Sequence, residues 1–89
     1  MPHKLQNLQM NAIAIKIGKT IRAKREKRGL SQESLAELSN LNRTYLGEIE
    51  RGLAVPSIET LEKISMAFGE KLSELIAEYE IHGQPSIPH

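Results

Sequence analysis

Asn40-Leu41-Asn42 is the stretch that most narrows what this chain can build. Before it, Ser31 to Asn40 reads as a short helix. Ser31 is a good N-cap, Glu33 lies in the first turn where the helix dipole favours an acid, and Leu35, Ala36 and Leu38 supply apolar contacts. After it, Asn42 is again a capping residue, and the helix it opens carries Leu46 and Ile49 inward and ends at Gly52. Asn40 tolerates the positive φ that stops the earlier helix. A link of about three residues leaves no room for two helices to lie antiparallel in long contact, so they cross steeply as a helix-turn-helix. Small Ala36 lets the second helix approach the first.

The same punctuation organises the rest. A first helix runs from about Ala12 to Lys27, with Ile13, Ile17 and Ile21 at i, i+4 and i+8, and Gly29 accepts its left-handed cap. Leu53 to Pro56 form a loop, and Ser57 caps a fourth helix in which Ile58, Leu61, Ile64 and Phe68 keep helical spacing up to Gly69. A fifth covers about Lys71 to Glu80, with Leu72, Leu75, Ile76 and Tyr79 on one side. No segment reads as a strand. The expected fold is all-α, five helices around one small core, which suits 89 residues. Residues 1–11 are an N-terminal extension, either an arm or the start of the first helix; residues 12–81 form the domain; residues 82–89 form a flexible tail with two prolines.

Charge is distributed unevenly, although the net charge is only +1. From Lys16 to Arg28 seven cations face the single carboxylate Glu26, whereas Glu70 to Glu80 holds four carboxylates and only Lys71. Such a map suits an anionic partner on one side; two solvated helix faces of opposite bias account for it equally well. An enzyme is not expected. The chain has no cysteine and no aspartate, and its histidines, His3, His82 and His89, lie at the ends. No nucleophile–base set, phosphate-cradling glycine loop or metal-ligand spacing is present, so no cofactor or metal is expected. No apolar run reaches the ~18–20 residues a membrane helix needs, and the N-terminus is too polar for a secretory signal, so a cytoplasmic protein with no membrane partner is expected. Three aromatics are too few for single-strand stacking.

The helix opened by Asn42 is held by its middle, through Leu46 and Ile49, so its first residues project beside the positive end of the helix dipole. In a DNA major groove Arg43 can donate to guanine O6 and N7, and Thr44 can bond a base edge or touch a thymine methyl. Glu48 can accept from cytosine N4, or simply orient Arg43 and repel phosphate. Tyr45 can reach a phosphate, or pack its ring on the preceding helix. Gly47 is expected on the same exposed face, clearing space for DNA.

From about Ile17 to Leu75 the chain closely resembles the lambda-repressor-like (Xre-type) helix-turn-helix family. The resemblance rests on IGKTIRAKREKRGLSQESLAELSNLNRTYLGEIERG, then PSIETLEKISMAFG and KLSEL. It implies a five-helix domain that binds double-stranded operator DNA as a homodimer, with the third helix in the major groove. Arg43 and Thr44 match the base-reading positions, and Glu50 and Arg51 match the closing motif. Gln32 matches a phosphate contact that also buttresses the third helix. Arg22 and Arg25 match basic positions of the first helix that lie near the DNA backbone or in internal ion pairs, and Arg25 can pair with Glu50. Lys19, Asn42, Tyr45 and Arg51 complete the expected phosphate-facing set. Within the family, LNRTYLGEIERG looks most like the controller proteins of restriction–modification systems, which regulate their own operon; RNA polymerase is then a candidate partner. Asn40 stands where the family often has glycine, and Glu70 where it usually has an apolar residue, which leaves the junction of the fourth and fifth helices open.

Leu72, Ile76 and Tyr79 are the candidate dimer interface, since acidic surroundings keep that surface away from DNA. Two other functions share these features: the antitoxin of a toxin–antitoxin pair, using the same DNA-binding head, and a protein-interaction module whose basic helix meets an acidic partner.

Overall fold

The computed structural model describes residues 2–83, with side chains over residues 12–80. Five helices follow in order: α1 (Pro2–Lys27), α2 (Gln32–Leu38), α3 (Arg43–Glu50), α4 (Ile58–Ala67) and α5 (Leu72–Gly83). No strand occurs among the described residues. α1 begins at Pro2, ahead of Ala12, so that of the two readings open for the N-terminal extension residues 2–11 take the start of the first helix.

Local chemistry sets the boundaries. Ser31, Asn42 and Ser57 each adopt an extended backbone and accept the N–H three residues on, from Ser34, Tyr45 and Thr60. This satisfies one of the donors a helix start leaves unpaired. α5 starts differently: the Lys71 N–H donates to Glu74 Oε1 at 2.8 Å, so a carboxylate reaches back where no capping side chain exists.

The helix ends share one device. After α2, Asn40 takes φ 56°, its N–H donates to Glu37 O, and the Leu41 N–H donates to Ala36 O at 2.8 Å. This is a Schellman turn with asparagine in the left-handed position, where a short polar side chain is tolerated. The same pair of bonds closes α1 at Gly29-Leu30, α3 at Gly52-Leu53 and α4 at Gly69-Glu70. Leu30 and Leu41 continue from these turns onto the core, as the motif favours.

α1 runs between two neighbours, packing on α3 along one flank and on α5 along the other, while α2 bridges α3 and α4. The core comprises Ile21, Leu35, Ala36, Leu46, Ile49, Leu61, Ile64, Phe68 and Leu75. Buried Thr20, Ser39 and Ser65 return their hydroxyls to the carbonyls of Lys16, Leu35 and Leu61, so no hydroxyl is left without a partner there.

Three expected core residues are exposed instead: Ile13, Leu38 and Ile58. For α1 the reason is close approach. A Cβ at Gly18 would meet the carbonyl oxygens of Ile49 and Glu50, the latter at 2.7 Å. The end of α3 therefore lies directly against Gly18, and Ala14, one turn earlier on α1, is buried while Ile13 beside it turns outward. Leu38 is the last residue and Ile58 the first residue of its helix, beyond the reach of the core.

The junction between α4 and α5 holds because Glu70 is gripped by α1. Lys24 Nζ lies 2.9 Å from Oε1 and 3.0 Å from Oε2, the latter in hydrogen-bonding geometry, and Arg28 Nη2 lies 3.6 Å from Oε1. Arg28 also stacks over the Phe68 ring, 4.6 Å from its centroid. The Schellman position that usually takes an apolar residue thus takes a paired carboxylate.

Candidate nucleic-acid interface

α3 is fixed from below by Leu46 and Ile49, both fully buried. Behind it sits an ionic bolt. Arg25 Nε and Nη2 donate to Glu50 Oε2 and Oε1 at 2.7 and 2.9 Å, and Arg25 Nη1 donates to Leu30 O at 2.8 Å. Gln32 Nε2 donates to Glu50 Oε1 at 3.1 Å. One carboxylate thereby joins α1, the start of α2 and the end of α3. The hydrogen bonds that Arg25 donates to Glu50 raise its pKa against the opposing effect of desolvation, so the guanidinium stays charged. Of the two roles open to Arg25, the structure shows the internal ion pair.

The outward face of α3 carries the candidate readers. Arg43 and Thr44 are exposed at its start. Arg43 Nη1 lies 3.7 Å from Glu33 Oε2 of α2, and both side chains are well solvated, so this pair contributes little to stability. Asn42 Oδ1 is occupied as the cap, accepting from the Tyr45 N–H at 3.1 Å. Tyr45 is half-buried and packs against the core, and Glu48 is half-buried.

Gln32, Arg43, Thr44, Gly47 and Arg51 line one shallow polar groove. Four of the expected contact residues thus come together around Gly47. Gly47 itself is buried rather than exposed. The tips of Arg51 and Gln32 cover it: a Cβ there would lie 3.1 Å from Arg51 Nη1 and 3.3 Å from Gln32 Oε1.

Lys19 and Arg22 are exposed on α1. Lys19 follows Gly18 and Arg22 lies one turn beyond it, on the flank that meets α3; Arg22 Nε pairs with Glu26 at 3.1 Å. On α5, Leu72 and Tyr79 are half-buried, with Leu72 packed against the core, while Ile76 is exposed. Ile76 and Tyr79 also border an apolar cavity with Ile17, Thr20, Ile21, Leu61 and Leu75. Among the described residues no cluster of metal-ligand type occurs, and none of their helices is long and apolar enough to cross a membrane. His3, His82 and His89 lie outside the described side chains.

Sequence reasoning missed the contacts of Gly18, the Gln32–Glu50 bond, the Glu33–Arg43 pair and the clamp on Glu70. A glycine in the interior of a helix was the available signal for Gly18.

A helix-turn-helix family model matches residues 21–75. The chain belongs to the helix-turn-helix family. It has that family's function, DNA-binding regulation of transcription. It is 44% identical to the control protein C.MunI of Mycoplasma sp over 72 residues, covering 80% of this chain and 97% of that protein. It is also 44% identical to the immunity repressor protein of Bacillus phage phi105 over 62 residues, 70% of this chain but only 43% of the repressor. The restriction–modification controller protein C.AhdI of Aeromonas hydrophila superposes with a TM-score of 0.67 at 40% identity, over 70% of this chain and 94% of that one.

Proposed function

We propose that the protein is a sequence-specific regulator that binds a palindromic operator as a homodimer and controls its own operon, in the manner of a restriction–modification controller. The observation that carries this is the groove along α3, where Arg43 and Thr44 stand exposed beside Gln32 and Arg51 on a helix locked from behind by Glu50. Arg43 and Thr44 read base edges, with Glu48 beside them, while Gln32, Asn42, Tyr45, Arg51, Lys19 and Arg22 face the phosphates. The match to C.MunI over nearly its whole length supports the controller role.

Exposed Ile76, with Leu72 and Tyr79, forms the two-fold contact between protomers. Two α3 helices then fall about one helical turn, ~34 Å, apart, which is why the site is palindromic. The protein acts in the cytoplasm, and RNA polymerase is a partner at the regulated promoter.

Sedimentation of the protein with a duplex selected from a random pool tests this. Two protomers per duplex are expected. One protomer per duplex contradicts the dimer, and no complex at low salt contradicts DNA binding. Neutralising a phosphate with Lys19 contributes ~0.9 to the slope of log affinity against log salt, so Lys19→Ala lowers that slope and weakens all sequences alike.

A further inference from the structure

We infer that Gly47 is a positioning residue: the space left by its missing side chain lets the Arg51 guanidinium lie back across α3 beside Gln32, where it holds one DNA phosphodiester group. This role presupposes the DNA binding proposed above.

Glycine is the poorest helix former apart from proline, yet Gly47 sits in the interior of an eight-residue helix. It is not needed for a turn. The tips of two polar side chains lie over it, Arg51 Nη1 and Gln32 Oε1, at 3.1 and 3.3 Å from where a Cβ would stand. Arg51 follows Gly47 by one turn, and helical side chains point back toward the N-terminus, so this is the direction its stem naturally takes.

The two neighbours differ in freedom. Gln32 is fixed, because its Nε2 donates to Glu50 Oε1 at 3.1 Å and Glu50 is held by Arg25. Its carboxamide oxygen lies on the side of the notch, where its partial negative charge attracts a guanidinium. The Arg51 side chain is exposed, and its guanidinium forms no hydrogen bond or ion pair with any described residue. All of its N–H donors therefore remain available to an external acceptor.

Position decides between phosphate and base. Arg51 stands just beyond the end of α3, about two turns or ~12 Å along the axis from Arg43. With the start of α3 tipped into the major groove, its far end lies at the rim, where the sugar–phosphate strand runs. A planar, permanently charged guanidinium matches that anion.

The test compares wild type, Gly47→Ala, Arg51→Ala and the double variant on the duplex that wild type selects from a random pool and on a random-sequence duplex. In Gly47→Ala the methyl displaces the tips of Arg51 and Gln32. Affinity should fall about fivefold on both duplexes, the size of one ordinary hydrogen bond and less than the full loss of a charged one, since Arg51 is displaced and not removed. The log–log salt slope should drop toward that of Arg51→Ala, by up to ~0.9. In the Arg51→Ala background the methyl should have no further effect. The thermal midpoint of Gly47→Ala should hold or rise, since alanine is the better helix former, so weaker binding cannot be ascribed to unfolding. Unchanged affinity, an additive loss in the Arg51→Ala background, or an altered base preference with the slope intact would each overturn the inference. Wild type that binds no duplex at low salt overturns the DNA-binding function and this role with it.

Discussion

Arg25 and Glu50 form a two-pronged ion pair, Nε to Oε2 at 2.7 Å and Nη2 to Oε1 at 2.9 Å, with little of either side chain exposed. Glu50 also accepts from Gln32, so the pair orients a residue of the candidate interface. Breaking a buried pair strands its partner at ~3–5 kcal/mol. Arg25→Ala should therefore lower unfolding free energy by about this amount in urea melts. Because the Arg25 pKa is raised on folding, the contribution of the pair is fully present below the ordinary arginine value and is lost only as pH climbs through the raised one. The loss in Arg25→Ala should thus be the same at pH 7 and pH 9. A loss that faded between them would contradict the geometry.

Gly18 should not tolerate a side chain. The atoms a Cβ would meet are backbone carbonyls of the α3 terminus, which cannot rotate away. Gly18→Ala is expected to cost ~1–3 kcal/mol by overpacking, despite the better helix propensity of alanine. Circular dichroism melts check it; a raised midpoint would contradict the close approach of α1 and α3.

At the other flank, Lys24 and Glu70 are each about nine-tenths buried, with exposures of 11% and 10%. Lys24→Ala leaves Glu70 with Arg28 alone at 3.6 Å and should cost roughly 3 kcal/mol. Glu70→Leu should cost less, because an apolar residue suits that Schellman position and Lys24 keeps Glu78 at 4.0 Å. Equal losses in urea melts would show that the clamp is not the stabilising contact.

Ile76 is the exposed large apolar residue among the described side chains of α5, and the proposed dimer depends on it. Ile76→Glu adds a charge to an already acidic helix and should leave a folded monomer in sedimentation. A variant that stays dimeric would place the two-fold contact elsewhere.

Much of the fold was legible because the signals are local. Ser31, Asn42 and Ser57 cap through their own side chains, and Gly29, Asn40, Gly52 and Gly69 supply the left-handed turns. The outward placement of Arg43 and Thr44 was legible for the same reason: it follows from the turn and from Leu46 and Ile49. What failed depended on neighbours distant in sequence. In the Ile13-Ile17-Ile21 stripe, Ile17 and Ile21 do reach the core, but Ile13 turns outward, since Gly18 lets the end of α3 approach closely. Gly47 looked exposed because one of its covers, Gln32, comes from α2, and the other, Arg51 one turn on, folds back beside it. Glu70 looked misplaced because its partners lie on α1.

Selecting duplexes from a random pool with wild type and Arg43→Ala side by side tests the central claim most directly. A palindromic motif should emerge with wild type, and Arg43→Ala should lose one base preference in each half-site at a cost of ~1–3 kcal/mol. No enrichment with wild type, or an equal loss for every sequence with Arg43→Ala, would contradict base reading by α3.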